Sequence, residues 1–300
     1  MSRSPAARLL LEWYEQYGRA HLPWRMTRDP YRVVVSEFML QQTQVDRVVP
    51  IFERFVTAFP SVSSLAGAPT ADVVRAWRGL GYNTRAVRLQ RVARAIVERY
   101  AGELPGERTA LLALPGIGPY TASAIRAFAF NLDDVALDTN LRRIVHRVHF
   151  GLELPGRAEP RQIDAAARAM LARGKSFAWN SAMMDLGATI CTARAPKCLL
   201  CPLRSRCAAA PIDTVQISRL QPARPAPRVV RFEETTRYAR GRIVDLLREL
   251  PPGSAISLFD LHAALEAQLG DRSAEDVAEL VAALERDGIV SRNGGQVRLA

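Results

Sequence analysis

The chain has 300 residues, with 41 basic and 30 acidic side chains, a formal net charge of +11 at pH 7 and four cysteines. That length is ample for a buried core, and no run of about 18 apolar residues calls for a membrane span. Residues 237–300 hold 8 arginines, no lysine and 10 acids, so the whole positive excess lies ahead of them. Such a balance suits a polyanionic partner, most simply nucleic acid, although an arginine-rich protein without one has the same charge.

MSRSPAARLLLEWYEQYG, residues 1–18, reads as the start of an amphipathic helix. Glu12 and Glu15 break its apolar run, so it is not a signal peptide, and a cytoplasmic, nucleoid-associated protein is expected. In that compartment four cysteines do not pair as disulfides. Helical periodicity then recurs in 6–17, 31–41, 44–58, 70–77, 84–100, 107–113, 119–130, 138–149, 160–172 and 177–188. Residues 1–207 therefore read as one almost wholly helical domain. Glu37 falls between Val33–Val35 and Phe38–Leu40, an apolar setting in which desolvation would raise a carboxyl pKa. A solvated helix carboxylate is the plainer alternative.

LPGIGPYTASAI, Leu114–Ile125, sets a tight glycine turn before a helix. Gly116 and Gly118 allow positive φ and close approach of an anion. Backbone N–H groups and the helix dipole then form a phosphate site that needs no side chain. With a helix near 107–113 the segment becomes a helix–hairpin–helix; an ordinary helix–turn–helix corner packed on glycine is the alternative. In VALDTNLRRIVHRV, Asp138 precedes a basic helix, either as a helix cap or as a carboxylate beside a gripped strand.

Cys191-x6-Cys198-x2-Cys201-x5-Cys207 can gather four thiolates around one centre, zinc or an iron–sulfur cluster. The uneven spacing favours a [4Fe–4S] cluster bound in a 191–207 loop. Arg194, Lys197, Arg204 and Arg206 decorate that loop with charge suited to phosphate. Residues 208–236, rich in proline and arginine, read as a linker. Beyond it, 237–250, 257–269 and 273–287 read as helices, and Asn293-Gly294-Gly295 as a hairpin turn. Three helices and a hairpin suggest a winged-helix-like α+β module over 237–300. Its third helix carries Glu275, Asp276, Glu279 and Glu285, which would repel phosphates and favours an adaptor or packing role.

The turn, the aspartate and the cysteine loop, in this order, resemble the helix–hairpin–helix DNA glycosylase superfamily that includes endonuclease III. LPWR (Leu22–Arg25), DPYRVVVSEFMLQQTQV (Asp29–Val45), GLGY (Gly79–Tyr82), LPGIGPYTA (Leu114–Ala122) and MMDLGATICT (Met183–Thr192) are similar to adenine DNA glycosylases of the MutY type. The resemblance covers residues 6–207. It implies an all-α fold of two helical lobes with an iron–sulfur loop, acting as a monomer on duplex DNA that carries a mismatched or damaged base.

By the same resemblance Glu37 protonates the leaving base and handles the attacking water. Asp138 stays charged beneath the sugar, Asn140 orients the carboxylates, and Tyr120 lies at the catalytic edge. Relatives that also cleave the backbone carry lysine at the position of Tyr120, so a monofunctional enzyme is expected. Gln42 matches the wedge that fills the gap of the extruded nucleotide, and Tyr82 the aromatic beside the opposite base. Trp24, Arg25, Leu40 and Thr43 are expected to line the base pocket or the opposing-base contact. A monovalent cation on the carbonyls near Leu112 to Ile117 is a further implication. Two features depart from the pattern: Asp138-Thr139-Asn140 stands where many relatives have aspartate-glycine-asparagine, and no Nudix-like segment is recognisable. Opposing-base choice is therefore open, and thymine or uracil opposite guanine is the alternative substrate.

Overall fold

The computed structural model describes residues 5–152, 158–215, 217 and 231–300. The middle of the expected linker, residues 218–230, lies outside them. The chain divides into two compact units: residues 1–34, 105–113 and 117–225 form the first, and 35–104, 114–116 and 226–300 the second. Among the described residues no helix is long and apolar enough to cross a membrane.

The first unit contains α1 (Pro5–Tyr17), α7 (Arg108–Leu112), α8 (Pro119–Phe128), α9 (Thr139–Phe150), α10 (Pro160–Met170) and α11 (Ser176–Thr189). Its core gathers Leu10, Leu141, Ile144, Trp179, Met183, Leu186 and Leu203. Helix α11 is buried around most of its circumference, so its polar side chains must find partners inside. Asn180 does so: its Nδ2 donates to the carbonyls of Asp134 and Ser176, and its Oδ1 accepts from Ala136 N. Asp185, 1% exposed, takes paired bonds from Arg25 at 2.6 and 3.0 Å and further bonds from Arg19. Burial alone would raise the Asp185 carboxyl, but the bonds from Arg25 and Arg19 outweigh it and hold the group below the usual range. Asp134 is likewise buried among Arg108, Arg126 and Arg168.

Helix α2 (Pro30–Leu40) contains the boundary between the units, and α3 (Val45–Ala58), α4 (Val62–Gly67), α5 (Thr70–Ala76) and α6 (Thr84–Tyr100) belong to the second. Phe55 meets Trp77 edge-on with ring centroids 5.7 Å apart. The sequence reading missed α4, whose Ser61–Ser64 capping box replaces apolar periodicity as the start signal.

The C-terminal part of this unit is α12 (Thr236–Glu249), β1 (Ile256–Ser257), α13 (Leu258–Leu269), α14 (Ala274–Arg286), β2 (Val290–Asn293) and β3 (Gln296–Leu299). The expected hairpin forms: β2 and β3 are antiparallel, and Gly294 and Gly295 both take the positive φ that a tight primed turn requires. The two-residue β1 adds to the free side of β3, giving the antiparallel order β1-β3-β2. Val74 and Val87 from α5 and α6 enter one core with Ile243, Leu247, Leu261, Val281 and Val297. Arg248 seals that packing by donating to Val74 O and Asn83 Oδ1, each at 2.8 Å. The acidic third helix thus belongs to a module packed on α5–α6.

Candidate active site and cysteine loop

Asp138 is the N-cap of α9, with extended backbone and its Oδ1 accepting from Leu141 N at 2.7 Å. Its Oδ2 accepts from Asn140 Nδ2 at 3.1 Å. Cap and oriented carboxylate are therefore one arrangement. Asn140 is placed in turn by α11. A Cβ on Gly187 would come within 2.8 Å of Asn140 Cβ, so only glycine allows the two helices this approach. Arg143 Nη2 donates to Gly187 O at 2.9 Å and holds the crossing. MMDLGATICT matters here through its glycine, a signal the sequence reading did not extract.

Helix α8 starts at Pro119 without a side-chain cap, because its N-cap is Gly118. Gly116 has φ of +85°, whereas Gly118 is extended at −90°. The expectation that both turn glycines exploit positive φ is thus corrected: Gly118 instead leaves the helix mouth open, with nothing within 4 Å of a hypothetical Cβ. Half-buried Tyr120 packs against Val33, Ala124, Phe128 and Ala136 in the first unit.

In the second unit Glu37 is on α2, 7% exposed. The end of that helix is fixed by Arg85, itself 5% exposed. Arg85 Nη1 donates to the carbonyls of Phe38, Met39 and Gln41, the last by a short contact. Its Nη2 reaches Thr43 Oγ1 at 3.0 Å, Leu80 O at 3.1 Å and Gly81 O at 3.3 Å. A cation at a helix C-terminus is favoured by the orphan carbonyls it satisfies. Burial lowers the Arg85 guanidinium to about 10, so it remains charged at neutral pH. This one residue binds LQQT to GLGY. Gln42 and Tyr82, both candidates for DNA contact, flank it with positive φ of 57° and 44°. Gln42 is exposed, Tyr82 is 38% exposed and Leu40 is half-buried. Sequence reasoning missed Arg85, since an arginine near a helix start normally reads as solvated.

Two residues of LPWR are held by the fold. Arg25 is committed to Asp185, its side chain only 7% accessible, and braces the fold. Trp24 is buried at 8% exposure and belongs to the core.

The four cysteines are half-buried in the loop that follows α11. Arg147, 1% exposed, donates to Thr192 O, Ala193 O and, at 3.5 Å, Cys191 Sγ. Arg143 Nε donates to Cys191 O at 2.9 Å. These arginines of the basic helix α9 therefore anchor the loop from within, while Arg194, Lys197, Arg204 and Arg206 are exposed on it. Burial pushes the Cys201 thiol up to about 12, and the other three cysteines add their repulsion. Among the described residues, no three cysteine, histidine or acidic side chains converge on a single metal-ion position. Four soft thiols that sense one another, with guanidinium groups at their backs, form a donor set that fits an iron–sulfur group.

The HhH-GPD superfamily of base excision DNA repair proteins matches residues 35–171. An adenine DNA glycosylase of Mycolicibacterium smegmatis is 42% identical over 254 residues, covering 83% of this chain and 82% of its own length. A thymine/uracil-DNA glycosylase of Pyrobaculum aerophilum is 35% identical over 199 residues, covering 65% of this chain and 86% of its own. Among solved structures, a non-covalent endonuclease III–DNA complex aligns with TM-score 0.58 over 71% of this chain and 95% of that one; at 20% identity it bears on the fold alone. Iron–sulfur clusters are general in this group. The chain belongs to the HhH-GPD superfamily of base excision DNA repair proteins, within its MutY-type adenine DNA glycosylase branch.

Proposed function

We propose that the protein is a monofunctional adenine DNA glycosylase that hydrolyses the N-glycosidic bond of adenine mispaired with 8-oxoguanine or guanine. The observation that carries this reading is the pair of unlike carboxyl environments: Glu37 is buried on α2, and Asp138 caps a helix N-terminus and accepts from Asn140. A reaction needing one proton donor and one persistent anion uses such a pair. The target nucleotide leaves the stack to reach them. Glu37 delivers a proton to the purine, the C1′–N9 electron pair leaves with the base, and Asp138 stabilises the positive charge that grows on the sugar. Glu37, now ionised, takes a proton from the water that adds to C1′. The products are free adenine and an abasic site.

Gln42 and Tyr82 support strand separation in this account, and the hairpin around Gly116 and Gly118 grips one phosphate. Tyr120 stands where a backbone-cleaving relative would need an amine, so no Schiff base forms. We assign the thiols of Cys191, Cys198, Cys201 and Cys207 to a [4Fe–4S] cluster, which when bound would tie the loop together. A monovalent cation on the carbonyls between Leu112 and Ile117 belongs to the same reading, as does action by a monomer.

The thymine/uracil-DNA glycosylase relative supports a second reading, removal of thymine or uracil opposite guanine. Duplexes carrying A:8-oxoG, A:G, T:G, U:G and A:T, treated with alkali after incubation, separate the two. Abasic sites at A:8-oxoG and A:G are expected. Cleavage at T:G without cleavage at A:8-oxoG would replace adenine as the substrate.

A further inference from the structure

A cavity of about 560 Å³ opens in the second unit between the GLGY turn and α12. None of the chemistry above uses it. Tyr82 lines it, along with Arg47, Phe232, Arg237 and Tyr238. The Tyr82 ring is held there at a cost, because a bulky residue at φ of +44° is strained. Arg85 and Trp77 Nε1 pin that backbone by donating to Gly81 O, each at 3.3 Å. The result is an aromatic ring fixed in position and 38% exposed, not packed into a core.

Arg237, carried by the C-terminal module, lies with its guanidinium carbon 3.9 Å from the Tyr82 ring centroid. Its Nη1 also donates to Tyr82 Oη at 2.8 Å. Among the described residues no carboxylate pairs with Arg237 or Arg47, whereas Arg240 is paired with Asp287 and Arg242 with Asp245. The cavity therefore presents a stacking surface, a guanidinium with unused in-plane donors, and a second unneutralised cation. Stacking planes with cations suit an unstacked nucleotide, and a guanidinium fork matches the acceptor edge of guanine.

We propose that Tyr82 and Arg237 form a clamp for the base opposite the excised nucleotide, in which Arg237 donates to O6 of guanine or 8-oxoguanine. This inference rests on the reading of the chain as a DNA glycosylase. It makes the C-terminal module part of opposing-base recognition.

The test uses the full chain and duplexes with a tetrahydrofuran abasic analogue opposite guanine, 8-oxoguanine or cytosine, with affinity read by fluorescence anisotropy. Arg237→Ala is expected to weaken binding opposite guanine and 8-oxoguanine by about tenfold or more, with little change opposite cytosine. Arg237→Lys restores charge without the fork and is expected to stay impaired. Arg298→Ala, on the exposed face of β3, is the unaffected control. Equal weakening of all three duplexes would mean a phosphate contact and overturn base reading. Unchanged affinity would overturn the proposal outright, and so would tighter binding, which would make Arg237 a cover over Tyr82. Because the readout needs no turnover, selective loss in a protein that releases no adenine would sink the glycosylase reading and leave the clamp standing.

Discussion

Gly187 approaches Asn140 so closely that a methyl group on the glycine would stand 2.8 Å from Asn140 Cβ. The carboxylate of Asp138 thus depends on a residue without a side chain, on a different helix. Gly187→Ala is expected to cost about 1–3 kcal/mol of stability, as overpacking does, and to lower the single-turnover rate more than DNA affinity. Thermal melts and rates at saturating enzyme check both.

Arg85 gathers the end of α2 and the GLGY turn through carbonyls that no other side chain is seen to satisfy jointly. Arg85→Ala leaves these buried acceptors without their donor and is expected to cost at least about 2 kcal/mol. Arg85→Lys recovers little, because an ammonium lacks the fork. Denaturant melts of the three proteins measure the loss.

Asp185 supplies a pH dependence with a definite sign. Its folded pKa is depressed below the unfolded value of about 3.9. Its contribution is therefore complete above the unfolded pKa and disappears as pH falls through the folded one. Asp185→Asn should lower stability at neutral pH and flatten the acid limb of the stability curve below about pH 4. Arg25→Ala, which leaves the buried carboxylate to Arg19 alone, should cost about 1.5–3 kcal/mol at pH 7. Denaturation midpoints across pH provide the readout.

Tyr120 offers a gain-of-function test. The wild-type protein should give no covalent adduct when borohydride is added during reaction with its DNA. Tyr120→Lys should become trappable, since it places an amine at the catalytic edge. Strong trapping of the wild type would contradict the monofunctional assignment.

The cysteine loop predicts that iron and sulfide co-purify in equal amounts. Cys201→Ser should reduce both and lower the melting temperature. Normal iron content in that variant would remove Cys201 from the ligand set.

The long helices were legible because their apolar residues recur with helical period, and α6 matches its expected span of 84–100. Asp138, the glycine turn and the cysteine spacing were legible as local chemistry. What escaped was long-range. Nothing in the local sequence marks Arg85, Arg143 and Arg147 for internal roles, yet each spends its guanidinium on carbonyls distant in sequence. Arg25, a basic residue in a telling motif, likewise spends its guanidinium on a distant partner, Asp185. Sequence patterns register burial of apolar side chains well and of paired cations poorly, because the partner that makes burial tolerable is not a neighbour in the chain.

The most direct measurement is adenine release from an A:8-oxoG duplex under single-turnover conditions by the wild type, Glu37→Gln and Asp138→Asn. The account predicts release by the wild type, with each substitution slowing it by at least about 10²-fold while duplex affinity is retained. Release by either variant at the wild-type rate would contradict the assignment of proton donor and anion to these two carboxylates.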